Sequence, residues 1–233
     1  MILNKKFRRA LLKRFPLHYY RHYNSYSQEG EDLIIKTYFE GNPKYKGFYV
    51  DIGAYHPIRF SNTYLLYKKG WKGINIDPTP DSMKIFKLLR KRDINLEFGV
   101  GSEKKEMNFY CFNEPALNSF SEKLAKERDG LKNYKIIKTV KVPVFTLEEV
   151  LNQYLPDQQS IDLLNIDVEG LDFEVLQSNN WHKFRPKLIV IEEKIDIGNL
   201  SQSKIVTYLK GNGYCLSAKT FRTLFFSKID STE

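Results

Sequence analysis

FYVDIGAYHP, residues 48–57, sets the fold. Phe48–Ile52 is a short, almost wholly apolar run that meets Gly53, which reads as a strand buried on both faces feeding a turn. Downstream, Ser61 is placed to cap a helix through about Lys69, and Gly70 to stop it. Residues 73–76 (GINI) form a second strand ending at Asp77. Pro80 and Asp81 open a helix with Met83, Phe86 and Leu89 on one side, and residues 94–100 make a third strand. The alternation continues with strands over 107–112 and 140–144, and Thr146 with Glu149 makes a capping box for a helix through Leu155. A strand over 161–166 ends at Asp167, a helix runs from about Leu171 to Gln177, and a strand over 187–191 ends at Glu192 and Glu193. A helix over 202–210, stopped by Gly211 and Gly213, precedes a hairpin of 214–218 with 223–227. Apolar strands alternating with helices imply a parallel sheet covered on both faces.

Nearly every strand in this reading ends in an acid: Asp51, Asp77, Asp167, Glu192. Ligands of such sheets sit at the carboxyl ends of the strands, so this pattern describes a cleft suited to hydroxyl-rich groups, cations or a metal. A dinucleotide site would need G-x-G-x-x-G, yet only Gly53 fits; Tyr55 and Pro57 occupy the later positions. Asp77 follows about 25 residues on, the spacing used to hold ribose hydroxyls. A cap for the next helix is the plainer reading of Asp77, as an ordinary turn is of Gly53.

The 233 residues suit one domain with a short appendage. Hydrophobic residues make up 42% and charged residues 28%, the balance of a core-forming chain. The net charge is +9, but residues 1–26 hold seven Lys and Arg and no acid, leaving +2 for the other 207. Basicity confined to an arm argues against a nucleic-acid face across the body. The arm, residues 1–26, interleaves Ile2, Leu3, Phe7, Leu11, Leu12 and Phe15 with cations. It reads either as an interfacial helix drawn to an anionic membrane through residues 1–15, or as a helix packing one stripe on the body or on a sister subunit of a homo-oligomer. Its middle is too charged for a secretory signal, no apolar run is long enough to span a bilayer, and Cys111 and Cys215 make no CxxC pattern. A reducing, cytoplasmic setting is the expectation. Trp71 and Trp181 read as core, and His18 and His22 as solvated arm residues.

Several stretches carry a resemblance: SQEGED (27–32), YVDIGAYHP (49–57), SNT (61–63), GWKGINIDPTP (70–80), ALNSFS (116–121) and LLNIDVEGLDFEVLQSNNW (163–181). Together they resemble the FkbM-type S-adenosylmethionine-dependent methyltransferases, over roughly residues 27–193. The resemblance implies a Rossmann-like class I methyltransferase fold in residues 27–233, a mostly parallel seven-stranded sheet with a C-terminal antiparallel hairpin. It implies S-adenosylmethionine as cofactor, with Asp51, Gly53 and Ala54 around the methionine part, and Tyr55, Asn62 and Asp167 among the other cofactor contacts. Asp77 and Pro78 would lie at the ribose and Gly99 and Val100 at the adenine, while Gln28, Glu29 and Asp32 would cover the site. Pro57 stands where many relatives have a further glycine. The acceptor implied is a hydroxyl of a carbohydrate or glycosylated metabolite.

A sugar hydroxyl is a weak nucleophile and needs a base, typically worth about 10²–10⁴ in rate. Asp167 and Glu169 are the first candidates, with His56 as a third, and Asn118, Ser119 and Glu192 as acceptor contacts. Helix capping is the plain reading of Asp167 and Glu169, and turn chemistry that of Asn118 and Ser119. Asp167 and Glu192 could instead hold Mg²⁺ or another divalent ion. Two further readings stay open: an RNA methyltransferase, and a non-catalytic membrane-associated binding protein that retains the fold.

Overall fold

The computed structural model describes residues 24–42 and 44–229; the arm and its His18 and His22 therefore lie outside the described residues, apart from 24–26. Its strands are β1 (Phe48–Ile52), β2 (Lys72–Ile76), β3 (Ile94–Leu96), β4 (Gly99–Val100), β5 (Lys105–Phe112), β6 (Ile136–Phe145), β7 (Leu163–Ile166), β8 (Leu188–Glu192), β9 (Tyr214–Lys219) and β10 (Thr223–Lys228). The helices are α1 (Glu31–Tyr38), α2 (Tyr64–Lys68), α3 (Ser82–Leu89), α4 (Glu122–Arg128), α5 (Leu147–Tyr154), α6 (Asp172–Gln177) and α7 (Lys204–Gly211).

Seven strands form one sheet in the order β3-β2-β1-β7-β8-β10-β9. β1, β2, β3, β7 and β8 pair in parallel, and β10 joins β8 and β9 antiparallel, closing the sheet with the expected hairpin. β1 is buried along its whole length, as are the four residues of β7, because helices cover both faces. One large cluster, centred on Val50, Ile74, Leu164, Ile189 and Phe226, fills one face; a second, around Tyr49, Leu66, Trp71, Leu163 and Val190, fills the other. Trp71 and Trp181 are buried, as read from the sequence. The chain runs outward from β1 through β2 to β3, then returns to β7 on the other side of β1. The strand order therefore reverses between β1 and β7, where such sheets open a crevice.

Several elements depart from the sequence reading. The third strand splits: β3 stays in the main sheet, while β4 pairs with β6 in a separate sheet of order β4-β6-β5. Gly99 permits this crossing, since a Cβ there would meet the Phe120 ring at 2.5 Å. β6 runs for ten residues, its polar half hidden from an apolar-run search because one face is solvent-exposed. Helices α1 and α4 were not read from the sequence; α4 is capped by Ser121, whose Oγ accepts from the Leu124 N–H at 3.3 Å. Leu89 faces solvent rather than the core side shared by Met83 and Phe86. The capping box of Thr146 with Glu149 forms as read, and Gly70, at φ +94°, ends α2. Cys111 is buried, Cys215 exposed, and both are free.

Candidate active site

The strand order reverses beside a cavity of about 930 Å³, its open mouth included, at the carboxyl ends of β1, β2, β7 and β8. Gly53 begins its floor. Its N–H donates to the Ile76 carbonyl at 2.9 Å, and at φ +79° a Cβ would sit 1.7 Å from the Asp167 carbonyl oxygen. Only glycine allows the first loop to lie this close to β7. Asp77 ties the same loop to the next: its Oδ2 accepts from the Tyr55 N–H at 2.9 Å and its Oδ1 from the Thr79 N–H at 2.8 Å. It does not cap α3, whose N-cap is Asp81. Burial pushes the Asp77 carboxyl up while those donors pull it down, leaving it raised.

The β7 and β8 ends carry a different arrangement. One carboxylate oxygen each from Asp167, Glu169 and Glu192 lies within 4.8 Å of the others. Asp167 accepts no hydrogen bond from the described residues, and burial, then Glu192, Asp172 and Glu169, holds its carboxyl well above the usual range. Glu192 is raised by burial and then by Glu169. Glu169 is pinned: Arg128 pairs with it at 2.5 Å, and Ser119 Oγ donates to its backbone carbonyl at 2.8 Å. Asp172, absent from the sequence reading as a site residue, accepts from the N–H groups of Val168 (3.0 Å) and Gly170 (3.1 Å) and so shapes the loop that carries Asp167 and Glu169. Burial lifts its carboxyl to about 7. No side chain caps α6; Asp172, its first residue, braces the loop before it, and its signal was an acid two residues past the turn glycine Gly170.

Of the residues singled out from sequence, the cavity wall brings together Gln28, Gly53, Tyr55, Asn62, Asp77, Pro78, Val100, Asn118, Asp167, Glu169 and Glu192. The others stand behind it, each for a visible reason. Asp51 is buried, its oxygens taken by Thr63 Oγ1 at 2.6 Å and Asn165 Nδ2 at 2.8 Å. Ala54 packs with Met83 and Phe86. His56 Nδ1 accepts from the N–H groups of Ile58 (3.1 Å) and Arg59 (3.0 Å), a turn cap, and burial lowers its pKa. Glu29 is held by Arg222, whose N–H donates at 3.0 Å and whose Nε lies at 3.3 Å. Asp32 is fully buried, accepting from Ser25, Ser27 and the Tyr26 N–H. Ser119 is spent on Glu169 and on the Ser121 N–H, and Gly99 on the strand crossing at Phe120. Asn118 is on the wall but already bonded: its Oδ1 accepts from the Phe112 N–H and its Nδ2 donates to Thr79 Oγ1. Sequence reasoning missed Glu31, Thr79 and the apolar walls of Phe60, Phe98, Phe109 and Phe120. Glu31 lies inside the SQEGED motif; the phenylalanines carried no sequence signal separating wall from core.

A sequence profile described as the Methyltransferase FkbM domain matches residues 51–216. The chain belongs to the FkbM methyltransferase family. The matched FkbM segment holds the cavity's Gly53, Asp77, Asp167 and Glu192 and leaves out the strand β10 and the 28–31 flank. Among solved structures, methyltransferase FkbM from Methylobacillus flagellatus KT is similar, at 13% identity and a TM-score of 0.52. The match covers 86% of this chain and 48% of that one, so the chain spans about half the length of its structural relative, and the likeness is one of fold. Among curated proteins, none matches the chain in sequence.

Proposed function

We propose that the protein is an S-adenosylmethionine-dependent O-methyltransferase acting on a hydroxyl of a carbohydrate or glycosylated metabolite, in the cytoplasm. The observation that carries this reading is the Asp167 carboxyl, raised and without a hydrogen-bond donor, facing a cavity at the strand reversal of a chain that belongs to the FkbM family. The donor set fits a nucleoside with an amino-acid tail. A carboxylate (Asp77) stands beside apolar surface from Ile76, Pro78, Phe98 and Val100, and the bare Cα of Gly53 lies next along the wall. Asp77 would accept from vicinal ribose hydroxyls with lone pairs that the Tyr55 and Thr79 N–H groups leave over.

Bound S-adenosylmethionine would supply an electrophilic methyl on a sulfonium. The chain's part is to align the acceptor and take its proton. Asp167 is suited to that proton because its carboxyl is raised well above the usual range by burial and by Glu192 and Asp172. Arg128 keeps Glu169 occupied as an ion pair, which leaves Asp167 as the base and Glu169 as a positioning group. Glu31, Gln28 and Glu192 offer hydrogen-bonding groups to a polyhydroxylated acceptor. The same ring of acids disfavours an RNA phosphate at the cavity.

The close approach of Asp167, Glu169 and Glu192 also favours a second reading, a divalent ion held by the three carboxylates. No described helix is long and apolar enough to cross a membrane. The primary test is titration calorimetry with S-adenosylhomocysteine. The protein is expected to bind it, and Asp77→Ala to weaken binding about fivefold or more, as for loss of a charged hydrogen-bond acceptor. Absence of binding by the parent would leave a non-catalytic scaffold as the better reading.

A further inference from the structure

Helix α3 is apolar on two opposite sides. Met83, Phe86 and the guanidinium-bearing Arg90 just beyond it follow the helical period on the inner side and are buried. Ile85, Leu88 and Leu89, spaced by three and four residues, form the outer side and are 40%, 63% and 38% exposed. Three large apolar side chains on one short exposed face form a patch rather than scattered surface residues.

Cations surround that patch. Lys84, Lys87 and Lys91 recur at helical spacing along its flank; Lys84 pairs with Asp81, while no acid among the described residues pairs with Lys87 or Lys91. Arg92 lies over the Tyr67 ring at 3.8 Å. Residues 64–92 contain eight Lys and Arg against two acids, one of which, Asp77, is buried in the cavity wall. The described root of the basic arm meets the fold at α2, which touches α3 through its inner side. Tyr26 packs edge-on against Tyr64 at 4.7 Å and accepts from Lys68 Nζ at 2.8 Å, and the Arg90 guanidinium lies over both Tyr64 and Tyr67. Helix α2 thus links the root of the arm to the end of α3. Outside residues 1–26 and 64–92 the chain carries a net charge of −4, so its charge is unevenly distributed.

We propose that the outer face of α3, centred on Ile85, Leu88 and Leu89, docks on an anionic lipid surface. Each cation near such a surface raises affinity about fivefold, and inserted apolar side chains add a second, salt-insensitive contribution. A second copy of the chain would bring two like-charged faces together, which opposes association. RNA would satisfy the lysines but not the apolar centre, and this face presents no exposed aromatic ring for base stacking.

The test is flotation of the full-length chain with phosphatidylcholine vesicles, with and without phosphatidylserine. The parent is expected to float only with phosphatidylserine, and less as salt rises. Ile85→Gln/Leu88→Gln/Leu89→Gln should reduce vesicle partition about tenfold or more and, separately, Lys87→Gln/Lys91→Gln about 25-fold. Thermal unfolding should be unchanged, since these side chains are exposed. A dye sensitive to polarity at Leu88→Cys, in a Cys215→Ser background, should shift to the blue with anionic vesicles. The same dye on native Cys215, at the opposite edge of the sheet, should not. Equal flotation by the triple variant and the parent would assign any lipid binding to the arm and overturn the proposal. So would binding to neutral vesicles, or a dye shift that follows protein concentration without vesicles.

Discussion

Asp51 and Asp167 end neighbouring strands in nearly the same sequence setting, VDIG and NIDVEG, yet their carboxylates are in opposite states. Asp51 is buried with both oxygens accepting, from Thr63 and from Asn165; burial raises its carboxyl, and those two donors and then Arg90 pull it part of the way back. Asn165 passes the network on to Asn62 in the cavity wall, whose Nδ2 donates to Asn165 Oδ1 at 2.9 Å. Asp167 accepts nothing from the described residues and shares its hollow with two other acids. A carboxylate whose lone pairs are used holds structure in place, while one left unsatisfied among like charges is available to a proton. The two aspartates thus differ in whether folding satisfies their lone pairs.

The largest effect should come from Asp167→Asn. Turnover is expected to fall about 10²–10⁴-fold while S-adenosylhomocysteine affinity, measured by calorimetry, stays within a few-fold. The parent's rate should rise with pH through an ionisation well above the ordinary carboxylate range, because Asp167 must lose its proton to act. That limb should be missing from the residual activity of the variant. Near-parental turnover would remove Asp167 from the chemistry and erase the contrast with Asp51.

Asp51→Ala should reverse the pattern. It orphans the Thr63 hydroxyl and the Asn165 amide and leaves the buried Arg90, which also donates to Tyr49, Ser61 and the Pro57 carbonyl, with one less counter-charge. Urea unfolding should report a loss of about 3–5 kcal/mol. Asp167→Ala, by contrast, relieves repulsion and should leave stability unchanged or raised. Equal losses in the two variants would show that both carboxylates are structural.

Asp172 lies between these extremes, buried like Asp51 but charged against Asp167. Its native carboxyl titrates at about 7, above its ordinary 3.8, so the folded protein binds this proton more tightly than the unfolded chain. Its contribution to stability is full below pH 4 and is lost as pH rises toward 7. Asp172→Asn should therefore flatten the decline in unfolding free energy between pH 4 and 8 by about 4 kcal/mol. Parallel pH curves for parent and variant would place its titration in the ordinary range.

What was legible in the sequence follows the same division. The main sheet could be read because β1, β2, β7 and β8 are continuous apolar runs punctuated by Gly53, Gly70 and strand-end acids, and burial on both faces writes such runs into any sequence. α1 escaped because its apolar residues Leu33, Ile34 and Ile35 run consecutively in a helix of eight residues, α4 because it is short and mostly polar, and β6 because one exposed face breaks its apolar pattern. At the site, Asp77 and Asp167 could be picked out by their strand-end position. Asp51 could not be told apart from them, since what silences it is Thr63 and Asn165, 12 and 114 residues away. His56 looked like a base until the backbone turned its Nδ1 onto Ile58 and Arg59. Sequence position brings a side chain to the cleft, but its unsatisfied valence depends on partners that only folding assembles.

The smallest expected effect concerns the acid cluster itself. Asp167, Glu169 and Glu192 lie close enough to share a divalent ion, but two of the three already face cations, Glu169 at Arg128 and Glu192 at Lys194, 3.8 Å away. An ion would have to compete with Arg128 for Glu169 and would remove the like-charge repulsion that raises Asp167. A base with a raised pKa and a metal ligand kept deprotonated are therefore mutually exclusive states of this carboxylate. If Asp167 is the base, dialysis against EDTA should change turnover by less than about twofold, and added Mg²⁺ should restore nothing. A tenfold loss reversed by Mg²⁺ would make Asp167 a ligand, and the pH limb expected of the parent should then move down toward the ordinary carboxylate range, because a bound divalent ion stabilises the ionised form.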